Sequence, residues 1–466
     1  MLKIKRGLDI PIDGEAQKNI VDATFVGDYA VQPPDFVGLT PRLQVAEGDT
    51  VECGQPLVSD KADPRVALTS PVSGTVKAVV RGEKRALLAV VVASDGRRDG
   101  CEVDTGDLRA MLLRTGMWSL LKRRPFGTIP SPDGKPKSLF VSCFDSVPLA
   151  PDYDFVLAGR DEDLAAGLQA LSTLTDGKTH VCVRPWQRLA SVVRRVAQDS
   201  DKIVFHEVVG PHPAGNVGTQ INRIDPINKG EEVWTVGVQE AAMIGRTLLT
   251  GVYNPVKTVA VAGPAASHPQ YYKIRAGVAL HDILSGQIAN PDYPVMSDNA
   301  KSGVRVVSGN VLTGSNAGLD GYLGARDSMV TLLPEGDQYD FMGWLMPGLK
   351  KYSFSRTFIS GMLHDMLPKN LNFQFSIFNS FNTNVHGSVR PFLFTGSFEQ
   401  VFPFDIYPLQ LIKACIVGDV ELQEKLGIYE VEPEDFALCE FIDPSKTEIQ
   451  TIIREALEVL RKEAIA

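Results

Sequence analysis

The apolar positions change their period along the chain, and each period predicts a different kind of element. Up to about residue 100 the hydrophobic residues come in short β-branched runs cut by Gly48, Gly54 and Gly74, the spacing of closely turned strands. Farther on, residues 138–144 (SLFVSCF) predict a buried strand. Asp161 is expected to cap a helix reaching Thr173, with Leu164, Ala165, Leu168 and Leu171 as its apolar stripe. A strand at 180–183, a helix at 187–198 and a strand at 202–206 follow, and this alternation predicts a parallel α/β layer of Rossmann-like type. Near the end, Asp443 or Ser445 is expected to cap a helix whose stripe is Ile449, Ile452, Ile453, Ala456, Leu457 and Leu460, with Arg461 and Lys462 complementing its C-terminal dipole. Residues 331–410, rich in aromatics and proline, show little period and predict no element.

Two stretches carry resemblances of their own. Residues 45–76, VAEGDTVECGQPLVSDKADPRVALTSPVSGTV, resemble the biotinyl and lipoyl carrier domains, with "GD-x-V-x-x-GQ-x-L" before a hairpin and "SP-x-x-G-x-V" after it. In the lipoyl version a lysine at the tip is acylated, which would make Lys61 the modified residue. Lys61 stands ten positions before Pro71, about two more than such a carrier uses, so a plain solvated lysine is expected and a carrier modified at Lys61 is the alternative. The second stretch begins at Lys257, where strand, turn, strand and short helix succeed one another. It resembles the soluble ligand-binding β-grasp domains through Val259, Val261, Gly263, Pro269, Gly277, Leu280, Asp282, Ile283 and Leu284. The fold expected is therefore multidomain α/β: a carrier-like barrel-sandwich at 1–100, a Rossmann-like domain at 101–256, a β-grasp domain at 257–330, and a C-terminal region at 331–466 that ends in an amphipathic helix.

Composition narrows the function. With 44% hydrophobic and 22% charged residues the chain is too apolar for disorder, and its formal charge of −9 disfavours a nucleic-acid partner. The start, MLKIKRGLDIPIDG, lacks the apolar core of a secretory signal. The longest apolar run, residues 86–93, is far shorter than the about 20 residues a membrane-spanning helix needs, so membrane association is expected to be peripheral. Six scattered cysteines have neither disulfide nor zinc spacing, which favours a reducing compartment.

The motifs that would carry chemistry are missing. Neither G-x-G-x-x-G nor G-x-x-x-x-G-K-[ST] occurs, so the α/β layer is not expected to hold a nucleotide. His206-Glu207 lacks the second histidine one helical turn on that a zincin requires, no G-x-S-x-G elbow is present, and the seven histidines show no pairing with a nucleophile. One segment is unusual. Trp118, Lys122, Arg123, Arg124, Pro125 and Phe126 combine consecutive cations with aromatics, suited to an acidic partner surface or to lipid headgroups, or else to a helix end facing water. The acidic stretch 430–443, with six carboxylates and no base, predicts a solvated linker.

Taken together, the phrases KIKRGLDIPI (3–12), GPHPAGNVGTQINRIDPI (210–227), GSFEQVFPFDIYP (396–408) and LIKACIVGD (411–419) resemble the A-subunit family of the sodium-translocating NADH:quinone reductase over nearly the whole chain. That resemblance implies a complex that couples NADH oxidation and quinone reduction to sodium export, using flavins and iron–sulfur centres held by other subunits. It also implies a peripheral place on the cytoplasmic side of the bacterial inner membrane, beside membrane-embedded subunits. The family is in turn similar to the NADH-binding flavoprotein subunit of complex I and to the C subunit of the ferredoxin:NAD reductase complex. Those relatives hold flavin mononucleotide in a glycine-rich loop near the position of 116–127, and iron–sulfur cysteines near the C-terminus. Here the loop carries Trp118, Arg123, Arg124 and Phe126, and the cysteine region keeps Cys439 alone, so no cofactor, catalytic residue or metal is expected on this chain. Any quinone or partner contact is expected at Trp118, Arg123, Arg124, Pro125 and Phe126. A flavin or iron–sulfur redox subunit is the alternative.

Overall fold

The computed structural model describes the chain except residues 25–26, 99, 289–302, 337–341, 344, 349–350, 353, 355–357, 360–380, 394–395 and 466. One α/β sheet has six strands in the order Leu2–Lys3, Ile203–Val209, Thr179–Val183, Ser138–Ser142, Val233–Gly237 and Lys122–Arg124. The first five run parallel and Lys122–Arg124 closes the edge antiparallel, with Arg124 opposite Val233. Side chains alternate across it as strand geometry requires. Leu139 and Val141 pack with Leu164, Leu168 and Leu171 of one helical layer, while Phe140 points to the other face with Ile221 and Ile227.

The helices Asp161–Leu171 and Val238–Thr250 lie backbone against backbone on that sheet, because Gly167 and Gly245 meet there: a Cβ on either would strike the carbonyl of Ala241 or Asp163. Two expectations change here. Asp161 is not the cap; it is the first helical residue, where its carboxylate still complements the helix dipole and pairs with Arg188. The strand expected at 202–206 runs on to Val209 because the chain's own N-terminus pairs with it, Leu2 opposite Val208.

A second six-stranded sheet is ordered Gln17–Asp22, Gln270–Arg275, Val256–Ala262, Met329–Pro334, Val304–Ser308 and Ser315–Asn316, with the helix Leu280–Leu284 beside it. Residues 28–94 form a four-stranded and a three-stranded sheet that share a core of Val51, Leu57, Val58, Leu68, Val72, Val76, Val90 and Val92. Lys61 is exposed in the loop joining Pro56–Asp60 to Ala67–Thr69. The strands of residues 2–3 and 17–22 lie outside these two sheets; each instead extends one of the six-stranded sheets.

The C-terminal region is helical: Phe398–Val401, Pro408–Val417, Val420–Lys425, Ala437–Ile442 and Ile449–Ile465 surround Phe402, Phe404, Phe436, Ile453, Leu457 and Leu460. The last helix begins at Ile449, beyond reach of a cap by Asp443 or Ser445. Asp443 instead closes the preceding turn by accepting from Ser445 N and Thr447 N, and Glu440 of the neighbouring helix accepts from Gln450 N at 2.8 Å. Among the described residues no helix is long and apolar enough to cross a membrane.

Candidate functional site

At the C-terminal ends of the parallel strands an α/β sheet ordinarily presents helix N-termini to a ligand. Here that end is built from three of the family phrases brought together. Ile4 N donates to Val209 O at 2.9 Å, Leu8 N to His212 O at 2.8 Å and Gly7 N to Gln400 O at 3.2 Å, so residues 3–12 tie the loop after Ile203–Val209 to the C-terminal helices. Gly7, at φ +151°, lets the two backbones touch, since a Cβ would overlap the His212 carbonyl. The fourth phrase, most of it in the helix Pro408–Val417, contributes Leu411 and Ile412 to the core that also holds Ile10 and Phe398.

The helix Val217–Ile224 starts from this loop, and charged side chains pack on its first turn. A Cβ on Gly218 would collide with the Asp435 carboxylate and the Arg124 guanidinium, so both pack directly against its first turn. Its flank is held by Asn222 Nδ2 donating to Glu430 Oε2 at 2.7 Å and by Arg223 donating to the Pro403 carbonyl.

Arg124 organises the charges. Only 1% of its side chain is exposed, yet Nη1 donates to Asp435 Oδ2 at 3.1 Å, Nη2 bonds Glu434, and Nε stands 3.6 Å from Glu432 Oε1. Lys122 pairs with Glu432, and Arg123 reaches Glu232 at 2.9 Å. Burial opposes ionisation of Glu432, but Arg124 and Lys122 outweigh it and pull the carboxyl down to about 2. At Asp435 burial dominates the pull of Arg124 and holds the carboxyl up at about 6. The two acids also share a turn, Glu432 N donating to Asp435 Oδ2 at 2.9 Å.

This corrects the solvated linker expected over 430–443: Glu432, Asp435 and Asp443 are buried, Val431 and Phe436 belong to the helical core, and Pro433 is buried with them. The acidic surface that the basic run meets is therefore the chain's own. The signal that could have found it is the alternation of Val431, Pro433 and Phe436 with carboxylates, which a solvated linker does not need.

The other candidate residues scatter. Trp118 is 1% exposed, donates from Nε1 to Pro130 O at 2.9 Å and meets Trp234 edge-on at 5.5 Å, which makes it a core residue. Pro125 is buried at the turn, whereas Arg123 and Phe126 keep partial exposure, with Phe126 packed edge-on against Tyr429. His206 lies on a strand and its Nε2 meets His180 Nδ1 across the ladder at 2.9 Å; burial followed by the neighbouring imidazole pushes His180 down to about 4. A serine–histidine contact invisible in the sequence joins Ser146 Oγ to His212 Nδ1 at 3.1 Å, but His212 is 1% exposed and offers no approach to a substrate. Cys439 is buried, and burial pushes its thiol well above its ordinary range. Among the described residues no group of three or more His, Cys, Asp or Glu side chains is arranged to hold a metal.

Comparison with known proteins covers nearly the whole chain. Residues 2–95 match the model of the NqrA N-terminal barrel-sandwich hybrid domain, 103–253 that of the NqrA second alpha/beta domain, and 258–318 that of the NQRA C-terminal domain. Proteins named as the A subunit of Na(+)-translocating NADH-quinone reductase are similar to it at full length. Those of Neisseria meningitidis serogroup C and Rhodopirellula baltica are each 36% identical over 99% of this chain and 100% and 98% of their own, and that of Serratia proteamaculans is 35% identical over 99% and 100%. With three family domains matched in order and relatives aligned end to end, the chain belongs to the A-subunit (NqrA) family of the Na(+)-translocating NADH-quinone reductase.

Proposed function

We propose that this chain is a structural subunit, without a cofactor of its own, of a sodium-pumping NADH:quinone reductase. It sits peripherally on the cytoplasmic side of the membrane and orders the neighbouring subunits that carry electrons and sodium. The observation that carries the reading is the buried ion pair packed on the first turn of Val217–Ile224: Arg124 and Asp435 lie against Gly218, which puts a carboxylate beside the kind of helix start that a flavin phosphate uses. The lone buried Cys439 supports the same conclusion for an iron–sulfur centre, which needs closely spaced thiolates.

The partners are the other subunits of that complex, membrane-embedded ones included. Of the five residues expected to meet quinone or a partner, Arg123 and Phe126 are the two that keep accessible side-chain surface, and the contact narrows to them. We read the chain as four units, a carrier-like barrel-sandwich (1–100), a Rossmann-like layer (101–256), a β-grasp unit (257–330) and a helical C-terminal region (331–466), with residues 2–3 and 17–22 acting as ties between them.

The test is to isolate the complex from its host, release this chain without denaturants, and measure flavin absorbance and iron on each fraction. Pigment stays with the remaining subunits on this reading; stoichiometric flavin or iron on the released chain overturns it.

A further inference from the structure

Two cysteines far apart in sequence meet where the barrel-sandwich joins the α/β layer. Cys53 lies between the strands Thr50–Val51 and Pro56–Asp60, is 5% exposed, and has its sulfur 3.6 Å from Pro71 O. Cys101 begins the short strand Cys101–Glu102, which pairs antiparallel with Val252–Tyr253 after the last α/β helix. The Cys101 sulfur is packed on the backbone beside Cys53, 2.8 Å from where a Cβ of Gly54 would stand, which brings the two side chains to one place. Only glycine at 54 leaves room for this approach.

The surroundings separate the two sulfurs chemically. Cys101 is partly exposed and Cys53 is buried, with Tyr253 against the pair and Arg275 donating to Pro71 O at 3.2 Å just behind. The neighbouring Cys53 side chain brings the Cys101 thiol down to about 7, while Cys101 and burial push Cys53 up. An accessible thiolate next to a buried thiol is the arrangement in which one sulfur attacks and the other resolves.

We propose that Cys53 and Cys101 form a reversible disulfide with hydroperoxides as the oxidant, a covalent clasp between the barrel-sandwich and the α/β layer. Cys101 thiolate attacks a peroxide oxygen; the O–O bond breaks, a sulfenic acid forms, and the departing hydroxide takes a proton to leave as water. Cys53 sulfur then attacks the sulfenyl sulfur, the S–S bond forms, the S–O bond breaks, and a second water leaves. Two thiols and one hydrogen peroxide thus become one disulfide and two waters, the two electrons coming from the two sulfurs.

The test treats the native full-length chain with hydrogen peroxide, blocks remaining thiols after denaturation, and maps peptides by mass with and without dithiothreitol. The expected product is a Cys53–Cys101 linked peptide, lighter by two hydrogens and split by dithiothreitol, while Cys143, Cys182 and Cys439 stay reduced. In Cys53→Ser the sulfenic acid on Cys101 has no resolving partner, and its capture by dimedone rises at least about tenfold over the unsubstituted chain. The linked peptide is read in the unsubstituted protein, so it stands whether or not the variant folds. Cys53 and Cys101 remaining reduced at a peroxide dose that oxidises Cys415, or equal dimedone capture with and without Cys53, overturns the proposal.

Discussion

Arg124 and Asp435 lie 311 positions apart in sequence and are joined by a 3.1 Å hydrogen bond inside the protein, with no more than 1% of either side chain exposed. The contact ties the edge strand of the α/β sheet to the helical region. A buried ion cluster of this kind is costly when incomplete, because the partner left behind keeps its desolvation cost without its counter-charge.

Arg124→Met should therefore destabilise the chain by about 3–5 kcal/mol, since Asp435 would stay buried without its cation and Glu432 would keep Lys122 alone. Adding Glu432→Gln and Asp435→Asn to the same chain should recover much of the loss. Urea unfolding of the full chain, read at its first transition, checks both. A single variant as stable as the parent would mean that the cluster is solvated.

Acidity should separate the two acids. Asp435 holds its proton longer in the folded state, at about 6 against an ordinary 3.8, so its contribution is complete below the lower value and is lost as pH rises through the upper. Glu432 runs the other way: its contribution is present above its ordinary value and fades as pH falls toward about 2. His180 and His212, both pushed down to about 4 with burial as the first cause, also lose stability as pH falls. Comparing Asp435→Asn with the parent cancels these shared terms. The variant's Tm should gain on the parent's between pH 4 and 7, by an amount equivalent to on the order of 2 kcal/mol; parallel curves would remove Asp435 from the account.

Gly218→Ala inserts a methyl group where Asp435 and Arg124 already stand, so one of them must move. A loss of about 1–3 kcal/mol is expected, with faster proteolysis of the segment around Glu434 because the helical region loosens first. Were the space beside Gly218 open, alanine would instead be neutral or stabilising, as in an ordinary helix.

Gly245→Ala acts on a different contact, the crossing of Val238–Thr250 over Asp161–Leu171, where its Cβ would overlap the Asp163 carbonyl. Backbone cannot yield as a side-chain tip can, so the loss should be at least about 2 kcal/mol and should appear in the α/β transition. Leu249→Ala, on an exposed position of the same helix, serves as the control and should change little.

Lys61 should carry no acyl group. It is an exposed side chain on a rebuilt tip, and the intact mass of native protein should equal the sequence mass at that residue. An added lipoyl or biotinyl mass on Lys61 would restore the carrier reading.

Much of this was legible one segment at a time. Alternating periods revealed Ser138–Ser142, Thr179–Val183 and the helices beside them, and the run from Ile449 to Leu460 revealed the last helix, because periodicity records which side of an element faces a core. The lost glycine and cysteine motifs were equally visible, since chemistry that depends on tight backbone or clustered thiolates leaves a local spacing. What no local pattern holds is the identity of the opposing surface. That Lys122 and Arg124 face Glu432 and Asp435, that Leu2 extends the strand ending at Val209, and that Cys101 rests on Gly54 follow only once distant segments pack. The same carboxylates are an ordinary solvated face when read alone and a buried counter-charge in the folded chain, because the cost of a charge is set by the dielectric and partners around it, and the fold alone supplies both.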